Sequence, residues 1–102
     1  MKYIKSTYQY NNTLAVIAQK EDEDRPYGVV TVNLAGLSEL LPDDSQFVDE
    51  NNWQGIVEQL EKEGIAEKLK DSKGEVVKGH SGFCTYTAMK FKMDKLAEVK
   101  NG

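Results

Sequence analysis

Alternation of apolar and polar side chains is clearest near the C-terminus. Over residues 83–93, Phe83, Thr85, Thr87, Met89, Phe91 and Met93 fall on one face, with Cys84, Tyr86, Ala88, Lys90 and Lys92 on the other. This period of two is the one a β-strand imposes. One face should be buried and the other partly wet, and the length of the run makes it the central strand of a sheet. Residues 2–10, rich in tyrosine, threonine and isoleucine, and residues 14–19 read as two more strands, joined by Asn11-Asn12. Asparagine tolerates positive φ, so this pair closes a hairpin. Both sides of the second strand are apolar, which suits an inner position. Tyr27 to Leu34 is a third strand in a meander. Before it, Glu21-Asp22-Glu23-Asp24-Arg25-Pro26 reads as a solvated turn, because adjacent carboxylates repel and proline withholds a backbone donor.

The period lengthens once. Trp53, Ile56, Val57, Leu60 and Gly64 recur at helical spacing, which predicts a helix over residues 52–63. Asn51 is its expected N-cap, with Gln54 three positions on. Gly64 is the left-handed residue past its end and returns Ile65 to Leu60. Gly55, a costly residue inside a helix, implies close approach to the sheet. Residues 35–46 set Gly36, Pro42, Asp43 and Asp44 among Leu37, Leu40 and Leu41, and read as a loop with apolar feet and one helical turn, followed by a short extended piece at Phe47-Val48-Asp49. Residues 70–82 read as a mobile hairpin or loop, and residues 94–99 as a short helical tail. The fold class is therefore α+β: one domain over residues 1–102, an antiparallel sheet of four to five strands, and the helix of residues 52–63 packed on one face.

Composition narrows the function classes. In 102 residues, 39% are hydrophobic and 29% charged, close to ordinary globular values and unlike a disordered chain. No apolar stretch approaches the ~20 residues of a membrane span. The N-terminus carries no leader pattern, and the single cysteine, Cys84, has no partner for an internal disulfide. A cytoplasmic protein is expected. The net charge of −4 conceals an uneven layout: residues 1–64 hold twelve acids and five bases, residues 65–102 five acids and eight lysines. The overall sign makes direct nucleic-acid binding unfavourable.

Candidate chemistry is sparse. A nucleophilic thiol needs a base beside it, and His80 lies four positions from Cys84, yet nothing sets the two face to face. An inert thiol is expected. One histidine and one cysteine are too few for structural zinc, and residues 21–24 lack the alternation and glycine of a calcium loop. No cofactor is expected. The stretch Lys73-Gly74-Glu75-Val76-Val77-Lys78-Gly79-His80-Ser81-Gly82 is glycine-rich and cationic, so Lys73, Lys78 and His80 are candidate ligands for a small anion or nucleotide, without Walker spacing. Tyr3, Tyr8, Tyr10 and Tyr27 suggest an aromatic platform, but without the flanking basic residues of a base-stacking surface, so protein contact or edge packing is the simpler use. The carboxylates of Glu21, Asp22, Glu23, Asp24, Asp43 and Asp44 suggest an acidic inhibitor that imitates duplex phosphates and blocks a nucleic-acid-processing complex. With no cluster of nucleophiles or metal ligands, the leading expectation is a non-enzymatic module that binds a protein partner. Its oligomeric state is not legible.

Three stretches in order, Thr31-Val32-Asn33-Leu34, Phe47-Val48-Asp49-Glu50-Asn51-Asn52 and Ser81-Gly82-Phe83-Cys84-Thr85-Tyr86, resemble a family of small uncharacterised proteins of Gram-positive and gut bacteria. Its members are often carried on plasmids, conjugative elements and phages. The resemblance covers most of the chain. It implies a cytoplasmic accessory protein of a mobile element, a setting in which inhibitors of host defence are common, and it assigns no catalytic residue.

Overall fold

A computed structural model describes residues 1–20 and 26–98. Its strands are β1 (Lys2–Thr7), β2 (Leu14–Gln19), β3 (Pro26–Val29), β4 (Thr31–Val32), β5 (Ser45–Val48), β6 (Ala66–Lys68), β7 (Lys78–Ser81), β8 (Cys84–Phe91) and β9 (Ala97–Glu98), with one α-helix, α1 (Ile56–Lys62). Single 3₁₀ turns occupy Ser38–Leu40 and Met93–Lys95. The fold is α+β with one main helix, and its strands divide between two sheets. The first has the order β3-β2-β1-β9; the second runs β4-β5-β8-β6, with β7 also on β8. The first hairpin pairs from Lys2↔Gln19 to Thr7↔Leu14 and turns at Asn12, whose φ of 59° is the positive value asparagine tolerates. As its apolar faces imply, β2 is an inner strand, and β8 lies between β5 and the β6 and β7 edge.

Val30 joins the sheets. Its N–H donates to the Val16 carbonyl of β2, and its carbonyl accepts from Asp49 N–H just after β5. The strand expected over residues 27–34 is therefore broken at Val30: one half pairs with β2, the other with β5. The Thr31 hydroxyl also accepts the Val16 amide at 3.1 Å, closing the seam from the other side. Between the sheets and α1, Val16, Val30, Val48, Leu60, Met89 and Phe91 are almost wholly withdrawn from water. Each such side chain contributes about 1.5–3 kcal/mol.

The helix is shorter than its apolar stripe implies. Residues 52–55 form turns instead, because the amides of Asn52 and Trp53 both donate to the Asp49 carbonyl, and α1 begins after Gly55, which has φ of 78°. Asn51 is thus not the N-cap, and no side chain caps α1. The close approach expected at Gly55 occurs at Gly28, where an added Cβ would stand 2.8 Å from Cζ2 of Trp53; around Gly55 nothing lies within 4 Å. The indole N–H donates to the Val29 carbonyl at 3.1 Å. The far end of α1 follows the sequence reading: Gly64 has φ of 71°, Ile65 N–H returns to the Leu60 carbonyl and Gly64 N–H to that of Glu61. This is a Schellman stop.

The tail differs from the expected helix. After one 3₁₀ turn the chain forms β9 parallel to β1, and Lys5 meets Glu98 at 2.8 Å; residue 99 lies outside the described residues. No helix among the described residues is long and apolar enough to cross a membrane.

Candidate functional site

The second sheet has two covered faces. One meets the first sheet and α1. On the other, Leu34, Phe47 and Ala88 form a smaller buried cluster, with Val32, Leu41, Leu69, Val77 and Tyr86 packed against it. Residues 70–82, read from sequence as a mobile hairpin or loop, supply much of this region as an ordered edge. Leu69 N–H donates to the Ala88 carbonyl, Ala88 N–H donates to that of Val77, and β7 continues along β8 from Lys78↔Thr87 to Ser81↔Cys84.

The β7–β8 connection is a two-residue turn, Gly82-Phe83, with Gly82 at φ of 61°. Glycine leading such a turn is the type II′ arrangement whose twist suits a hairpin. The alternation of residues 83–93 places Phe83 on the buried face, but the strand starts one residue later. Phe83 instead stands at the tip with 110% relative exposure, the full extent of its ring in water. The arm behind it is firmly held. On the edge opposite β7, where β5 has already ended, Thr87 N–H donates to Glu50 Oε1 at 2.5 Å and Asn51 Nδ2 donates to the Thr85 carbonyl at 3.2 Å. Two side chains thus extend the ladder that the β5 backbone begins.

A second apolar feature borders the small cluster. A groove of about 350 Å³ is lined by Leu37, Leu40, Leu41, Phe47, Leu69 and Val77, with Pro42, Lys70 and Lys78 completing its margin. Leu40 is 78% exposed. The loop that presents it is set by buried Gln46: its Oε1 accepts from the Ser38 hydroxyl (2.7 Å) and Phe47 N–H (3.0 Å), and its Nε2 donates to the Leu14 carbonyl (2.8 Å). A larger, polar groove of about 710 Å³ lies between the β1–β2 turn and this loop, with Asn11, Thr13 and Asp43 among its lining residues.

The residues singled out from sequence are scattered. Glu21, Asp22, Glu23 and Asp24 lie outside the described residues. Asp43 is exposed, whereas Asp44 accepts the Ser45 hydroxyl at 3.1 Å and faces Lys90 at 4.0 Å. Lys73, Lys78 and His80 do not share one loop. Lys73 sits in a turn whose amides, its own and that of Glu75, donate to Asp71 Oδ1, so a carboxylate of the chain already occupies them. Lys78 and His80 are on β7. His80 lies 3.1 Å from the Thr85 hydroxyl, across from it in the register, and so on the face opposite Cys84. Cys84 is half-buried beside Tyr86; partial desolvation, then the thiol, push the Tyr86 phenol above its ordinary value.

Among the tyrosines whose side chains are described, no common platform forms. Tyr3 is in the core, where its hydroxyl donates to Glu63 at 2.8 Å, Tyr8 bonds the Thr31 hydroxyl at 2.9 Å, and Tyr10 is exposed in the turn. β2 separates the strands of Tyr3 and Tyr27. Among the described residues no group of three or more His, Cys, Asp or Glu is placed to hold a metal ion.

The feature missed from sequence is the Phe83 tip, whose signal was the Gly-X pair between two strand-forming runs. Residues 4–102 match a family described as a domain of unknown function, DUF4313. No curated protein matches the chain, and no solved structure does.

Proposed function

We propose that this chain, which belongs to the DUF4313 family, is a non-enzymatic module that docks on another protein by inserting Phe83 into an apolar pocket of its partner. The exposure of Phe83 at the end of an anchored hairpin carries this reading. A water-exposed ring gains nothing for the fold, but a rigid aromatic at a tip gains much in a complex. Its burial area is large, and few rotamers are lost on binding. Aromatic anchors seated in a partner's pocket are the usual energetic centres of interfaces. His80, exposed on the strand that leads into the tip, offers a polar group to the same partner surface. The module is a cytoplasmic accessory protein of a bacterial mobile element, in keeping with the resemblance of its three sequence stretches.

The test is a photo-crosslinking phenylalanine analogue at position 83, with the same group at exposed Glu58 on α1 as the comparison. A discrete protein adduct from position 83 and none from position 58 supports the reading. The same pattern from both positions, or no adduct from 83, rejects it.

A further inference from the structure

We infer that the outer edge of β7 accepts an added strand, an extended segment of the protein that Phe83 engages, in which acidic and apolar residues alternate; this rests on the docking role proposed for Phe83. Ala88 N–H donates to the Val77 carbonyl, and the register continues unbroken from Lys78↔Thr87 to Ser81↔Cys84. The alternation of an antiparallel ladder therefore turns the backbone groups of Gly79 and Ser81 toward β8 and those of Lys78 and His80 away from it. No strand among the described residues pairs with that outward side.

The other outer edges are closed or short. β3 starts with Pro26, which has no N–H to give, and the Trp53 indole takes the carbonyl of its Val29. β4 and β9 have two residues each and β6 three. Sheets blunt their edges in these ways because a row of unpaired groups is a template for another strand. β7 has four residues with neither proline nor cover, and it leads straight to the exposed ring of Phe83. A backbone edge of this kind is satisfied by an extended chain and by little else.

The side chains choose the occupant. Lys78 and His80 project to one face, and Gly79 between them belongs to the other. Both are exposed, and Lys78 has no ion pair among the described residues. Carboxylates opposite these two positions meet a cation and a polar ring. The residue between them turns to the other face, where Gly79 offers no side chain and Leu34 and Phe47 lie against its bare Cα. An apolar side chain suits that place, so the segment reads acid, apolar, acid. A second copy of β7 would bring only lysine and histidine to the charged face.

NMR of the isotope-labelled full chain, titrated with a capped peptide of alternating glutamate and valine, tests this. The amide protons of Lys78 and His80 are expected to move downfield and gain exchange protection, while those of Gly79 and Ser81 change little. His80→Pro removes one outward N–H at an edge position, where proline is tolerated, and is expected to weaken the peptide by about tenfold or more. His80→Ala keeps that N–H and is expected to weaken it by about threefold or less. Lys78→Glu shifts the preference to a peptide with lysine in place of glutamate. Phe83→Ala binds the peptide as the wild type does, because the peptide occupies the edge alone. Shifts centred elsewhere, no shift at all, or equal binding by His80→Pro and His80→Ala overturns strand addition and leaves the docking role of Phe83 standing. Protection of the same two amides that rises with protein concentration alone overturns the choice of occupant in favour of a second copy. Peptide binding at the edge without a crosslinked adduct from position 83 rejects the tip and supports the edge.

Discussion

The ring of Phe47 lies directly over Gly79: a Cβ added at Gly79 would stand 2.8 Å from Cε1 of the ring and 2.8 Å from Cδ1 of Leu34. The ring is 2% exposed and enclosed by its neighbours, so it cannot step aside. Gly79→Ala is therefore expected to destabilise the protein by about 1–3 kcal/mol, the ordinary cost of overpacking. Urea unfolding should show a lower midpoint with the slope unchanged.

Gln46 makes a second, polar claim on the same region. Replacing it by leucine leaves the Leu14 carbonyl, the Phe47 amide and the Ser38 hydroxyl each short of a partner. Unpaired buried groups cost about 1–3 kcal/mol each. Gln46→Leu is expected to lower stability by about 3 kcal/mol despite its added apolar surface. Denaturant titration checks this, and a neutral or stabilising result would show that the network contributes nothing net.

Local chemistry was legible in the sequence; long-range pairing was not. The Asn12 turn and the Leu60, Gly64 and Ile65 stop depend on a few adjacent residues whose φ preferences are written in the chain. Alternation identified β8 but not its first residue, because Gly82 starts a turn that removes Phe83 from the face its parity assigns. The break at Val30 has no local signal at all. It exists because Val16 and Asp49, far apart in sequence, claim its two backbone groups. The two residues of β9 are likewise strand only by virtue of β1 beside them. The acidic candidates were chosen by charge and the basic ones by charge within a glycine-rich stretch, and neither signal says which backbone amides a carboxylate of the chain already holds, as Asp71 does.

The side-chain extension of the ladder at Glu50 can be separated from its charge. Glu50→Ala removes the acceptor of the buried Thr87 amide and is expected to cost about 1–3 kcal/mol. Glu50→Gln keeps an acceptor oxygen in place and should cost clearly less. Hydrogen exchange at Thr87 distinguishes the two, with protection lost in the first variant and largely kept in the second.

Tyr3 sets an alkaline limit. Burial, then its bond to Glu63 and the charge of that carboxylate, raise its phenol well above the ordinary value. The unfolded chain releases this proton near its ordinary value of about 10, whereas the folded chain retains it. Above that pH the unfolded state binds fewer protons, so the stability Tyr3 contributes is fully present below the ordinary value and falls as pH rises above it. Tyr3→Phe should lower stability by about 1 kcal/mol at neutral pH through the lost hydrogen bond, and then decline less steeply in alkali. Urea midpoints across the alkaline range test the difference in slope.

Phe83 touches nothing that the fold needs, so Phe83→Ala should leave the unfolding free energy within about 0.5 kcal/mol of wild type. The decisive measurement is calorimetric titration of the protein captured at position 83 against wild type and Phe83→Ala. Loss of a seated aromatic anchor is expected to weaken binding by about thirtyfold, the scale of a 2 kcal/mol interface centre, with the fold intact. Equal affinity for the two forms would contradict docking through the hairpin tip.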